Sequence, residues 1–237
     1  MIDNYFDKID SDIKAYLLGF FIADGCISKN SRCTNSYRFS INISDIDREI
    51  LEIYKSELMT NNKIVTSHYK KGAINRKPVS CLRWTSGYMF EMFKVKYNIN
   101  PNKTKDFNFT FNFELIDEEY YFSFIRGFFD GDGHISYTDT NQFTFAFYAT
   151  SKPFLEQIGK IFEKEFDIEY LIKGTIKTNI ELFCLRFNCN QKRKYFIKKL
   201  YDKFYSNSKF SLLRKKLKFE KYLNTVLNSN GKKLESV

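Results

Sequence analysis

Two stretches decide the reading of this chain: AYLLGFFIADGCIS, residues Ala15 to Ser28, and SFIRGFFDGDGHIS, residues Ser123 to Ser136. Each runs through aromatic and aliphatic residues, ends on an Asp-Gly, and then changes to short alternating text. Asp132 follows Asp24 by 108 residues, so the pattern is a repeat and not an accident of one helix. Small residues recur at every fourth position, Ala15, Gly19 and Ala23 in the first copy and Ser123, Gly127 and Gly131 in the second. Residues four apart share one helical face, so each copy predicts a helix with a narrow stripe free of bulk. Mid-helix glycine costs about 1 kcal/mol against alanine, and close packing of one helix on the other compensates that cost. The stripes are expected to face each other about a pseudo-two-fold axis, bringing Asp24 and Asp132 together at the base of the helix pair.

The text beyond each helix repeats as well. In the first half, GCISK and RFSINIS read as strands, the latter alternating Phe39, Ile41 and Ile43 with Arg38, Ser40 and Asn42. DIDREILEIYKSEL reads as a helix, KIVTSHYK and SCLRWTS as strands, and GYMFEMFKVKYNI as a helix. The second half follows the same course with QFTFAFY, KPFLEQIGKIFEKEF, EYLIKGTIK, ELFCLRFN and KRKYFIKKLYDKFY. The expected fold class is therefore α+β, two pseudo-symmetric αββαββα repeats with antiparallel sheets. The repeats are drawn as residues 1–106 and 119–237, joined by a polar linker at 107–118.

Composition bounds the function. A formal net charge of +10 favours a polyanionic partner, nucleic acid first, because lysine and arginine gain most where they displace counterions from phosphate. Five cysteines without a CxxC pair argue against a disulfide framework or a cysteine zinc site and favour a reducing, intracellular compartment; cytoplasm, organelle and phage-infected cell are equally compatible. Two histidines exclude a histidine-rich zinc site. The opening MIDNYFDKIDSD is acidic and polar, unlike a signal peptide, and no apolar run approaches the ~20 residues of a membrane span.

An Asp-Gly at a helix end has an ordinary explanation, a stop with glycine in the left-handed position. Against it stands a cost: a carboxylate at the negative end of a helix is disfavoured by about 0.3–1 kcal/mol, and a second one nearby raises the cost. Two such costs at matching positions point to a bound cation. Oxygen ligands suit magnesium, and paired ions of that kind activate water and stabilise the leaving oxygen of a phosphodiester.

LLGFFIADG, Leu17 to Gly25, and IRGFFDGDG, Ile125 to Gly133, resemble the paired signature motifs of the LAGLIDADG homing endonucleases of the single-chain, two-repeat type. The resemblance implies a monomeric, metal-dependent endonuclease that cuts both strands of a long DNA target, in the setting of intron or intein mobility. It implies a saddle of two sheets with the motif helices packed at the domain interface. It also implies Mg2+ or Mn2+ at Asp24 and Asp132, two or more ions shared between them, helped by the carbonyls of Ala23 and Gly131. Lys103 and Lys209 resemble the family's basic residues beside the metals, and Ser44, Asp45, Thr150 and Ser151 its polar residues at the strand-to-helix corners. The last four double as N-cap candidates. Leu18, Arg126 and Ile22 depart from the motif, and Asp130 keeps its first acid.

The wet sheet faces are expected to enter the major groove, with Ser28, Lys29, Arg38, Ser40, Asn42, His68, Lys70 and Arg83 from the first repeat. Ser136, Thr144, Ala146, Tyr148, Lys173 and Arg186 follow from the second. Lys215, in a lysine-rich helical stretch, is expected to meet phosphate. Two other functions share this fold in the same resemblance: an RNA-binding maturase acting on intron RNA, and a DNA-binding regulator that does not cut.

Overall fold

The computed structural model describes residues 1–29, 36–67, 77–137, 143–177, 180–188, 193–206 and 208–231. The first repeat runs α1 (Asp12–Asp24), β1 (Gly25–Lys29), β2 (Tyr37–Ser44), α2 (Glu49–Glu57), β3 (Val65–Ser67), β4 (Val79–Thr85) and α3 (Gly87–Tyr97). The second runs α4 (Tyr121–Asp132), β5 (Gly133–Tyr137), β6 (Phe143–Ala149), α5 (Lys152–Phe166), β7 (Glu169–Lys177), β8 (Ile180–Asn188), α6 (Arg193–Tyr201) and α7 (Leu213–Gly231), with a π-helical turn at Asp202–Ser206. Each repeat builds one antiparallel four-stranded sheet, in the orders β1-β2-β4-β3 and β5-β6-β8-β7. The architecture is α+β, with the strands paired as the period-2 text predicts.

Alternation makes the cores. Along β2, Phe39, Ile41 and Ile43 are buried while Arg38 and Asn42 are exposed. Phe39 stacks on Trp84 at 5.5 Å, Phe21 of α1 packs on both, and Phe93 of α3 packs on Phe39 and Phe21. In the second sheet Phe145, Phe147 and Phe187 pack with Phe162 of α5 and Phe196 of α6, and α7 adds Phe219 and Tyr222 against Phe143 and Phe145. The aromatic wealth of the sequence is thus spent on core filling. Helix α5 begins where Ser151 accepts from the Phe154 N–H at 3.3 Å and ends at Asp167, whose φ of 51° is left-handed.

Packing divides the chain into Met1–Gly131 and Asp132–Val237. This division follows contacts, whereas the linker drawn at 107–118 follows the duplication. The polar-looking linker is itself packed on the first unit: Phe109, Phe111 and Ile116 are buried, Phe111 stacks on Tyr97 and on Phe124 of α4, and Ile116 pairs with Ile9. Through these contacts α4 travels with the first unit.

The ordinary explanation of the first Asp-Gly, a helix stop, does not hold. Gly25 is not a left-handed helix stop: its φ of −73° and ψ of 150° are extended, and the chain passes from α1 straight into β1. Glycine is required there for space, since a Cβ would lie 2.3 Å from the Phe21 ring.

Candidate functional site

Helices α1 and α4 touch through their small residues. A Cβ at Gly19 would stand 2.0 Å from the carbonyl oxygen of Phe124, and one at Gly127 would stand 2.0 Å from the carbonyl oxygen of Tyr16. Tyr16 and Phe124 are counterparts at the 108-residue offset, so the two contacts are images of each other. Further along, a Cβ at Gly131 would meet the Ala23 methyl at 2.3 Å and Asp24 Oδ2 at 3.2 Å. Ala15 is fully buried, and Ser123 donates to Asp12 Oδ1 at 2.6 Å.

Asp24 is the last residue of α1 and half-buried; Asp132 is the last residue of α4 and exposed. Neither helix carries a basic residue in its own last turn, so each carboxylate adds to the negative end of a helix dipole. The compensating cations come from elsewhere in the chain. Lys103, in a 3-10 turn at Lys103–Lys105, donates its Nζ to the carbonyls of Ile22 and, at 2.7 Å, Ala23. Tyr54, fully buried, donates to the Leu17 carbonyl, and its phenol is pushed well up by burial and then by Asp24. In the second unit the buried cation is Lys215 of α7, only 3% exposed, whose Nζ donates to the Gly133 carbonyl at 2.7 Å. The expectation that Lys215 lies on the phosphate-facing surface is thereby corrected: it points into the sheet. Lys209 is exposed, ahead of α7. Within the run of Lys215, Lys216 and Lys218 the sequence contains no signal for which lysine turns inward.

Of the corner residues, Asp45 accepts from Ser80 and, at 3.2 Å, from Thr66, which ties β3 and β4 to the end of β2. Ser151 caps α5; Ser44 makes no capping bond, and Thr150 is half-buried.

The outer sheet faces follow from register. Arg83 lies opposite Ser40, and Arg38 opposite Ser28 and Thr85, so Arg38, Asn42 and Arg83 stand exposed on one face with Ser28 and Ser40 half-buried among them. Lys29 pairs with Tyr37 and has the other parity, exposed at the strand end. In the second sheet Arg186 lies opposite Ala146 and Leu171, and Lys173 opposite Cys184. Arg186 and Lys173 are exposed, while Ser136, Thr144 and Tyr148 are half-buried. Ala146 departs from its expectation: it is fully buried, because its single methyl sits between the longer side chains of His134 and Arg186 on the flanking strands. Burial and a bond with Cys184 push the Tyr148 phenol up. Partial burial, with Lys218, Lys215 and Arg186 beside it, holds the His134 ring down, and its Nε2 lies 3.1 Å from Ser136 Oγ. His68 and Lys70 lie outside the described residues.

A family model described as a LAGLIDADG-like domain matches residues 11–97 and again 119–200. The chain belongs to the LAGLIDADG family. No curated protein matches its sequence. Among solved structures, the LAGLIDADG homing endonuclease I-SmaMI bound to cleaved DNA aligns over 92% of this chain and 90% of its own, with 15% identity and a TM-score of 0.52. Mesophilic variants of the homing endonuclease I-DmoI align over 81% of this chain and 90% of theirs, with 17% identity and a TM-score of 0.49. A complex of I-DmoI with DNA and calcium gives the same values. The likeness to I-SmaMI, at 15% identity, concerns the fold.

Each LAGLIDADG helix end by itself presents hard oxygen donors, one carboxylate, Asp24 or Asp132, and main-chain carbonyls. Among the described residues no three His, Cys, Asp or Glu side chains gather as a ligand cage. That sparse set fits a magnesium-like ion, which keeps several waters and takes one or two carboxylates plus substrate phosphates, and does not fit a four-ligand zinc site. Among the described residues no helix is long and apolar enough to cross a membrane.

Proposed function

We propose that this LAGLIDADG chain is a site-specific endonuclease that hydrolyses both strands of a long DNA duplex with divalent ions, Mg2+ or Mn2+, and works as a monomer. The observation that carries the reading is the duplicated helix end: Asp24 and Asp132 each terminate a helix with no basic residue in its own last turn, while Lys103 and Lys215 reach in from elsewhere to neighbouring carbonyls. The metal complexes of I-DmoI, with DNA and calcium, with DNA and manganese, and in the presence of magnesium, are in keeping with it.

In this reading Asp24 and Asp132 hold the ions, with the carbonyls of Ala23 and Gly131 as further oxygen donors. Bound there, a divalent ion supplies an activated water and stabilises the leaving oxygen. Lys103, anchored at the end of α1, offsets the local negative charge and presents an ammonium to the phosphate. In the second repeat the exposed Lys209 is the candidate for the phosphate, while the buried Lys215, held on the Gly133 carbonyl, offsets charge beside Asp132. Arg38, Asn42 and Arg83, with Arg186 and Tyr148, read base edges, where arginine suits guanine and asparagine suits adenine. Exposed Lys29 and Lys173 meet phosphates and fix register without reading sequence.

The test is selection from a randomised duplex library with magnesium, run beside binding to group I intron RNA. Recovery of one long site cut on both strands supports the reading. Tight RNA binding without any cut duplex replaces it with a maturase, and duplex binding without cutting replaces it with a regulator.

A further inference from the structure

A four-residue string recurs in the two sheets, and the helix ends do not account for it: Cys81-Leu82-Arg83-Trp84 on β4 and Cys184-Leu185-Arg186-Phe187 on β8. Alternation turns the leucine and the aromatic residue of each copy to the core. Leu82 and Leu185 are fully buried, Trp84 meets Phe39, and Phe187 meets Phe162. The cysteine and the arginine therefore share the outer face. Both arginines are exposed there, yet Cys81 is only 6% exposed and Cys184 9%. On an outer face a side chain as short as cysteine is buried by what lies over it. In the second sheet the cover includes Arg186 itself, whose Nε donates to Cys184 Sγ at 3.3 Å. Tyr148, directly opposite Cys184 on β6, hydrogen-bonds to both. In the first sheet burial pushes the Cys81 thiol up, while the charge of Arg83 and a hydrogen bond from it pull the other way.

We propose, on the reading that the outer sheet faces meet base edges, that Cys184 and Cys81 are positioning residues whose thiols hold the guanidinium groups of Arg186 and Arg83 in one orientation for reading a base. An exposed arginine spreads over many rotamers and gives up that freedom when it binds. One pinned beforehand loses less, and its fork arrives at a right or a wrong base in the same fixed place, which is what discrimination requires. Sulfur is a weak acceptor, so the bond orients the side chain without competing strongly with the base. The donor it takes is Nε–H, and the terminal amino groups keep donors for O6 and N7 of guanine. The thiol also tolerates the burial that the overlying side chains impose, since a free cysteine behaves as a small hydrophobe. Core filling does not explain the repeated cysteine, because its parity is the outward one in both sheets.

The experiment has a DNA-free arm and a duplex arm, both on the full-length chain. In protein labelled with 15N-arginine, the Nε–H resonance of Arg186 is assigned by its absence in Arg186→Ala. It is expected to exchange slowly with water in wild type and in Cys184→Ser, which keeps an acceptor, and several-fold faster in Cys184→Ala. Equal exchange in wild type and Cys184→Ala overturns the pinning, whatever the protein binds. The duplex arm is competition binding with single-base variants of the selected site. Arg186→Ala is expected to lose preference at one position, and Cys184→Ala to relax it at that same position roughly three- to tenfold, the net worth of one hydrogen bond. Cys184→Ser keeps the preference. Cys184→Ala added to Arg186→Ala changes nothing further, whereas a thiol that only filled space would act independently of the arginine. Cys81→Ala is expected to do the same at the position read by Arg83. Full preference in Cys184→Ala beside its loss in Arg186→Ala, or further relaxation in the double variant, overturns the proposal. If wild type selects no preferred duplex, the base-reading face itself is refuted and the purpose proposed for the thiol falls with it, while the exchange arm still reports whether Cys184 holds Arg186.

Discussion

Replacing Gly19 by alanine adds one methyl group, a change that in an open helix is favourable by about 1 kcal/mol. Here the methyl would sit 2.0 Å from the Phe124 carbonyl oxygen and 3.1 Å from the Phe128 nitrogen, both backbone atoms of α4 that have no rotamer to escape into. Ordinary contact begins near 3.4 Å, so α1 and α4 must part by roughly 1.4 Å or bend. Overpacking costs ~1–3 kcal/mol and sometimes more, and a clash with backbone belongs at the upper end. Subtracting the propensity gain leaves a net loss of about 2 kcal/mol, which for a chain of this length lowers the melting temperature by roughly 4–8 °C. Calorimetry and urea titration measure it, following the transition of the first unit, since two units need not melt together. Gly174→Ala is the control: its methyl would meet side chains and no backbone, the end of the exposed Glu181 and the Phe183 ring at 3.1 Å, so a loss below about 1 kcal/mol is expected. A Gly19→Ala protein melting at or above the wild-type temperature would refute the close approach of the two helices.

Arg38→Ala should relax base preference at one position of the target by ~1–3 kcal/mol, whereas Lys173→Ala should weaken all sequences alike and lower the slope of log affinity against log salt by roughly 0.9; competition binding with single-base variants at several salt concentrations separates the two. Lys209→Met tests the basic residue of the second repeat: loss of cutting on one strand with duplex binding retained is expected, and unchanged cutting of both strands would remove Lys209 from that role, whereas Lys215→Met, which takes a buried ammonium off the Gly133 carbonyl, should lower the melting temperature of the second unit. The phenols of Tyr5, Tyr54 and Tyr97 are all pushed up, chiefly by burial. A folded value above the unfolded one, about 10, means that their contribution is full below that pH and is lost as pH rises through it, so alkaline unfolding should begin there. An absorbance titration should find a subset of tyrosines ionising only with unfolding; all of them titrating freely in folded protein would contradict the burial.

The motif helices were legible because two signals coincide, the small residues every fourth position and the 108-residue repeat, and each constrains the other. The faces of β2 were legible because Phe39, Ile41 and Ile43 alternate with polar residues without interruption. Arg83 was not, since Ser80, Cys81 and Leu82 beside it are all buried and hide the parity until register sets it opposite Ser40. Ala146 obeys the same period-2 rule yet is buried, for a strand pattern carries parity and not the length of the neighbours on adjoining strands. Lys215 was illegible for a related reason: a lysine that turns inward to a main-chain carbonyl leaves no mark in the text of a basic helix. Phe109 and Phe111 alternate with polar residues in a stretch that reads as linker, and only the position of Tyr97 and Phe124 reveals that they are packed.

The central claim is that the carboxylates ending α1 and α4 carry out metal-supported hydrolysis. Its most direct measurement compares wild type, Asp24→Asn and Asp132→Asn on the duplex recovered by selection, scoring binding and strand cutting in magnesium on the same preparations. The substitution keeps the side chain's shape and removes only its charge. Both variants are predicted to bind the duplex with wild-type affinity within a few-fold and to lose double-strand cutting. Double-strand cutting at the wild-type rate by either variant contradicts the account.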